Sequence, residues 1–304
     1  MGSMLSPLEY RAAGIKFSLD LPHRLLFPYR SLFFQLTEPV MFRYFGFGSN
    51  MNITALRAKG VEPLASRRAV LHGWRLRFNV EHFFRHEGGV ANIERTDAPG
   101  DRVLGVLHDC PDAALAPLDV TEAYGHGYDR VMIDVESEGE RIPALVYVGM
   151  PGFLNNNCLP SPRYRNILVQ GAHESGIDSA YVKYLMEHPV HQVEEYPPFV
   201  RPEGDHPWFS ARSLAGRPLY TALYGEVFDM SVARPRHEYL KGFFGGRDMT
   251  LFHLKRLDTS DGTETMEAIR HGRLNEAQRR YLNAYLNEYA REYRYVGRFD
   301  YDET

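Results

Sequence analysis

Cysteine is nearly absent: the 304 residues hold two, Cys110 and Cys158. They lie far apart with no CxxC spacing, which excludes a disulfide framework and a thiolate zinc site. A reducing, cytoplasmic setting fits that usage. A basic excess is missing too. Lys and Arg number 35 against 39 Asp and Glu, for a net charge of -4. Phosphate contacts need Lys and Arg, so nucleic acid is not an expected partner. No long apolar run occurs. The longest uncharged stretch, Ile142 to Pro162, is interrupted by Pro143, Gly149, Pro151, Gly152 and three asparagines. It cannot cross a bilayer as a helix. The N-terminus lacks the basic start and apolar core of a signal peptide.

What is present is ordinary globular material: 44% apolar and 24% charged residues. That excludes disorder as the main state and leaves room for about two domains.

Composition divides the chain into parts. Residues 1–40 read as a leader or arm, rich in Leu and Phe but punctuated by Pro22, Pro28 and Pro39. Residues 41–195 read as strands first and helices last. Met41 to Phe45, Trp74 to Val80, Arg102 to Leu107, Arg130 to Val135 and Ile142 to Val148 carry β-type patterns. Ser161 can cap a helix with Pro162 at its first position and Gly176 at its close. Asp178 can cap a second helix that stops at Pro189. The proline-rich stretch 196–206 reads as a linker. Residues 207–304 hold a strand-like run from Leu219 to Phe228, a glycine turn at Gly242 to Gly246, and a long helix from about Asn275. Its Tyr281, Leu282, Tyr285, Leu286 and Tyr289 form a stripe at helical spacing, read as a core face.

Phe45-Gly46-Phe47-Gly48-Ser49-Asn50 follows a strand and precedes a helical pattern. Glycines allow a tight turn that bares backbone N–H groups, an anion cradle. A dinucleotide loop is excluded, because its third glycine falls on Met51.

The segment Tyr44-Phe45-Gly46-Phe47-Gly48-Ser49-Asn50-Met51 resembles the YxxYGSNL signature of the gamma-glutamylcyclotransferase family. Gly88 to Ile93, Arg102 to Val106, Leu118 to Glu122, and Leu159 to Tyr164 with Gly171 to Gly176 continue the likeness, which covers about 150 residues. It implies a mixed β-barrel with helices and a small-molecule γ-glutamyl substrate. In such a substrate the α-amine attacks its own γ-carbonyl and releases 5-oxoproline and a free amine. Tethering of this kind is worth roughly 7–11 kcal/mol. One carboxylate can take the ammonium proton and return it to the leaving amine.

The resemblance places that catalytic role on Glu122, whose neighbours Val120-Thr121 and Ala123-Tyr124 carry little charge; Asp119 is the nearby alternative. It assigns substrate binding to Tyr44, Phe45, Gly46, Phe47, Gly48, Ser49 and Asn50, and to Tyr147, with Tyr128 added as a further lining residue. Phe47 stands where the family usually has tyrosine, so a phenol hydroxyl is missing there. The mechanism needs no cofactor, and no metal ligand is expected.

Arg217 to Ser231, Phe244 to Thr250 and Leu274 to Phe299 resemble the cytochrome b5-like heme/steroid-binding domains, nearest the membrane-associated progesterone receptor type. The likeness implies a small α+β domain. It departs from the pattern in its shortened loop, Ala233 to Gly242, where His237 and Tyr239 are the candidate heme ligands. Two readings stay open there: heme iron, or a fold kept for contact. The whole chain therefore reads as α+β, a cytoplasmic cyclotransferase with an appended domain, and nothing in it excludes a homodimer. The alternatives are a non-catalytic ligand-binding module, or a heme or steroid binder acting through its C-terminal part.

Overall fold

The computed structural model describes residues 41–96 and 98–303. The expected leader lies outside them. Twelve strands and nine α-helices follow among the described residues. In the first part these are β1 (Met41–Gly46), α1 (Ile53–Arg57), β2 (Ala65–His72), β3 (Trp74–Glu81), β4 (Gly89–Arg95), β5 (Arg102–Pro111), α2 (Leu115–Thr121), β6 (Tyr128–Ser137), β7 (Glu140–Gly149), α3 (Pro162–Glu174) and α4 (Ser179–Glu187). Strands β1, β5, β2, β6 and β7 close a barrel in that order. Its pairings are antiparallel except for β1 with β7, where Tyr44 faces Leu145 in parallel register. The barrel core holds Phe45, Phe47, Leu71, Val103, Val135 and Val146. The hairpin β3–β4 stands apart as a two-stranded sheet.

Local chemistry explains the helix ends. The Ser161 side chain accepts from the Tyr164 N–H with Pro162 in the first turn, and Gly176 takes a left-handed φ of 67°. Asp178 caps α4 through the Ala180 N–H. Helix α3 lies hard against the turn after β1. A Cβ on Gly171 would sit 2.4 Å from the Asn52 backbone nitrogen, so only glycine allows that approach.

The second part contains β8 (Trp208–Phe209), α5 (Ala211–Ala215), β9 (Tyr220–Leu223), β10 (Glu226–Asp229), α6 (Glu238–Phe244), β11 (Arg247–Asp248), α7 (Thr250–Leu254), α8 (Met266–Arg270), α9 (Glu276–Glu292) and β12 (Arg294–Phe299). Its sheet runs β11-β9-β10-β12-β8. The run from Leu219 to Phe228, expected as one strand, is a hairpin. Tyr224 and Gly225 both take positive φ, 47° and 84°, and turn the chain back. Asn275 and Gln278 form a reciprocal capping box at the start of α9. The tyrosine stripe is core, as expected: Leu282, Tyr285, Leu286 and Tyr289 are buried.

The stretch 196–206 has no regular structure, yet it is tied to α9. Asn283 donates to the Pro197 carbonyl at 2.9 Å and accepts from the Phe199 N–H at 2.7 Å. The tip of the β3–β4 hairpin enters the second part. Phe84 is 1% exposed and packs with Phe244, Tyr285 and Tyr289. No described helix is long and apolar enough to cross a membrane.

Candidate active site

Helix α2 delivers Glu122 as its C-terminal capping residue. The chain then reverses at once, through Ala123 at φ 51° and Gly125 at φ 78°. The carboxylate thereby meets the turn after β1. Glu122 Oε1 accepts from Asn50 Nδ2 at 2.9 Å and from the Lys59 ammonium at 2.6 Å. Oε2 has no hydrogen-bond partner among the described residues, and Glu122 lines an aromatic-walled cavity. Its side chain keeps 13% exposure.

Local sequence suggested lightly charged surroundings for Glu122. The structure corrects this: the Lys59 ammonium sits 2.6 Å away, brought from the end of α1. Lys59 is buried, and burial pushes its pKa down, opposed by Glu122 and aided by Arg256. Asn50 organises the rest. Its Oδ1 accepts from Lys59 at 2.7 Å and its Nδ2 donates to the Tyr44 hydroxyl. Its carbonyl accepts from His108 Nε2 at 2.9 Å, while the Ser66 hydroxyl donates to Nδ1 at 2.8 Å. This assignment makes His108 a neutral imidazole, and burial pushes its pKa down to about 4.

The other expected residues fall into three groups. Ser49 and Tyr128 line the cavity with Glu122, and the Tyr128 hydroxyl donates to the Ala91 carbonyl at 2.7 Å. Tyr44, Asn50 and the glycine backbone stand behind it. A Cβ on Gly48 would come within 2.9 Å of the Ala91 side chain and 3.0 Å of the Tyr164 hydroxyl, so this turn also needs glycine. Phe45 and Phe47 point into the barrel core instead. Neither phenylalanine lines the cavity. Tyr147 donates to Asp119 at 2.6 Å, and Asp119 also binds Arg130 at 2.6 Å. Both Asp119 oxygens are occupied, whereas Glu122 keeps one open.

The AIG2-like family matches residues 102–185. The cattle (Bos taurus) gamma-glutamylcyclotransferase is 30% identical over 149 residues, 47% of this chain and 77% of that protein. The chain belongs to the gamma-glutamylcyclotransferase family. The mouse (Mus musculus) gamma-glutamylcyclotransferase is 29% identical over 153 residues, 49% of this chain and 79% of that protein. A solved gamma-glutamyl cyclotransferase structure aligns with TM-score 0.44 and 24% identity, covering 53% of this chain and 94% of its own.

The AIG2-like match ends at residue 185, but the cavity wall does not. Tyr239, Phe243, Phe252, His253 and Arg256 from the second part also line it. Tyr239 donates to the Val120 carbonyl, two residues before Glu122. Tyr239 was read in the sequence only as a heme-ligand candidate, and the other four were not legible as site residues. Tyr285 carried a signal only as part of a core stripe, and Lys59 carried none.

The heme expectation for His237 and Tyr239 does not fit the residues present. His237 is fully buried, with Nδ1 on the Tyr293 hydroxyl at 2.9 Å and Nε2 on the Phe83 carbonyl at 2.8 Å. Neither nitrogen is open to an iron. The Tyr239 hydroxyl is spent on Val120. His82 and His86 stand four residues apart, but across a strand end and a short 3-10 turn rather than on one helix face. Among the described residues no three or more His, Cys, Asp or Glu gather as a metal site would.

Proposed function

We propose that this protein cyclises a γ-glutamyl amide, releasing 5-oxoproline and the free amine, with Glu122 as the proton carrier. One observation carries the reading. Glu122 has one oxygen held by Asn50 and Lys59 and the other open toward a walled cavity. The held oxygen fixes the carboxylate; the open one can reach a substrate proton.

The sequence of events is short. Glu122 Oε2 takes a proton from the substrate α-ammonium. The freed amine attacks the γ-carbonyl carbon, the ring C–N bond forms, and the carbonyl oxygen becomes an oxyanion. Backbone donors along the Gly46 to Ser49 turn are the proposed holders of that oxyanion and of the substrate carboxylate. The bond to the leaving nitrogen then breaks as Glu122 returns its proton there. Two protons pass in all from the α-nitrogen to the departing nitrogen, and Glu122 ends as a carboxylate. General acid–base transfer of this kind contributes about 10²–10⁴-fold. For residues 207–304, the five-stranded sheet with packed helices is compatible with a cytochrome b5-like fold, kept here as a proposal of shape without heme.

The test is 5-oxoproline release from a panel of γ-glutamyl amides. Release that Glu122→Gln suppresses is expected; release that survives that change overturns the mechanism.

A further inference from the structure

We infer that the C-terminal part selects the amine half of the substrate, favouring a γ-glutamyl derivative of an aromatic α-amino acid whose carboxylate lies on Arg256. The inference rests on the cyclisation reading and adds to it the identity of the leaving group.

The charges around the cavity lead to Arg256. Its lining carries two acids, Glu81 and Glu122, and two basic side chains, Lys59 and Arg256. Glu122 is paired with Lys59 at 2.6 Å and Glu81 with Arg236 at 3.1 Å. The lining histidines add no charge near neutral pH: burial pushes His82 down to about 3 and His253 well below its usual value. Among the described residues the Arg256 guanidinium makes no ion pair or hydrogen bond. It lies over the Phe252 ring at 4.8 Å from the centroid. That leaves one oriented cation in the cavity wall with its fork of donors unspent, and such a fork suits a carboxylate. It lines the same cavity as Lys59 and Glu122.

The wall between the two is aromatic. Phe83, Phe153, Tyr239, Phe243 and Phe252 line the cavity and are only partly buried, so their ring surface is available to a ligand. Phe83 and Tyr239 stack with centroids 6.2 Å apart, and Phe153 meets Phe83 edge-on at 5.6 Å. A small or charged leaving group leaves this surface uncovered. A benzyl or indolyl side chain covers it, and the α-carboxylate of the same amino acid then supplies the missing partner for Arg256.

The experiment compares three substrates on the full chain by 5-oxoproline release: γ-glutamylphenylalanine, γ-glutamylalanine and γ-glutamylphenethylamine. The last keeps the ring and lacks the leaving-group carboxylate. Expected is a kcat/KM for γ-glutamylphenylalanine at least tenfold above that for γ-glutamylalanine, a gap that Phe243→Ala narrows. Arg256→Gln is expected to raise KM for γ-glutamylphenylalanine tenfold or more with little change in kcat. The same change is expected to alter γ-glutamylphenethylamine less than threefold. The glutamyl carboxylate is common to all three, so an equal penalty on all would place Arg256 there and overturn the inference. Equal rates for the phenylalanine and alanine substrates would overturn it too, with cyclisation intact. Product from none of them would instead remove the cyclisation reading, and this inference with it.

Discussion

Two carboxylates, Glu122 and Glu87, are both withdrawn from water and both paired with a cation, yet they differ in what is left over. Glu87 is 1% exposed and its two oxygens are filled. Oε2 takes Arg163 and the Ser161 hydroxyl, and Oε1 takes the hydroxyls of Tyr285 at 2.7 Å and Tyr281 at 3.3 Å. Burial pulls its pKa upward, but Arg163 and its other partners hold it well below the usual carboxylate range. Glu122 has two donors on one oxygen and a cavity before the other. Burial and pairing alone do not mark a reactive acid; unspent acceptor capacity facing a ligand-sized space does. Glu87 joins the two parts of the chain, and Glu122 keeps one oxygen for the chemistry proposed for it.

The largest expected effect tests Glu122. Glu122→Gln should lower 5-oxoproline release per folded molecule by about 10²–10⁴-fold, the usual share of general acid–base transfer; because it also takes the counter-charge from buried Lys59, some loss of melting temperature accompanies it. Next, Glu87→Gln should cost about 3–5 kcal/mol in a denaturant titration, because it leaves buried Arg163 without its counter-charge. Activity per folded molecule should stay within a few-fold. If the two results came out exchanged, the contrast between the two acids would be wrong. Lys59→Met comes third. It removes a charge-assisted hydrogen bond worth roughly 1.5–3 kcal/mol from a carboxylate that must stay in place, so a drop of about tenfold in kcat/KM is expected.

The smallest effect is a pH dependence on the Glu122 side. His108 titrates near 4 when folded and near 6.5 when unfolded. Between those values the unfolded chain binds a proton that the folded one refuses. Stability should therefore fall as pH drops from about 6.5 to 4, through this group. Thermal melts across that window should show a shallower fall for His108→Asn; an unchanged slope would show that His108 does not titrate in this way.

Legibility in the sequence followed the range of the interaction. Caps at Ser161 and Asp178 act within three residues, and both were readable; the long helix was expected from about Asn275, without its capping box. Strand patterns and the tyrosine stripe repeat locally, so their positions held to within a few residues. The hairpin at Tyr224-Gly225 was missed, although Gly225 between two apolar runs was the available signal. Glu122 was legible only through family likeness. Lys59, 63 residues away, and Arg256, beyond the proline-rich stretch, reach the cavity through tertiary folding alone. No spacing rule connects residues at such separations.

Phe84 carries a consequence for anyone handling this chain in pieces. It leaves the barrel side of the sequence and becomes part of the other side's interior, next to the Glu87 carboxylate whose Tyr285 partner is 198 residues onward. A fragment ending near residue 195 would present Phe84 to solvent at one tip and leave Glu87 Oε1 without its tyrosine hydroxyls, with Arg163 and Ser161 still on Oε2. Such a fragment is expected to stick to itself rather than turn over substrate. Though the likeness to known cyclotransferases fills only about half the chain, the smallest working unit is expected to reach past residue 195 into α9.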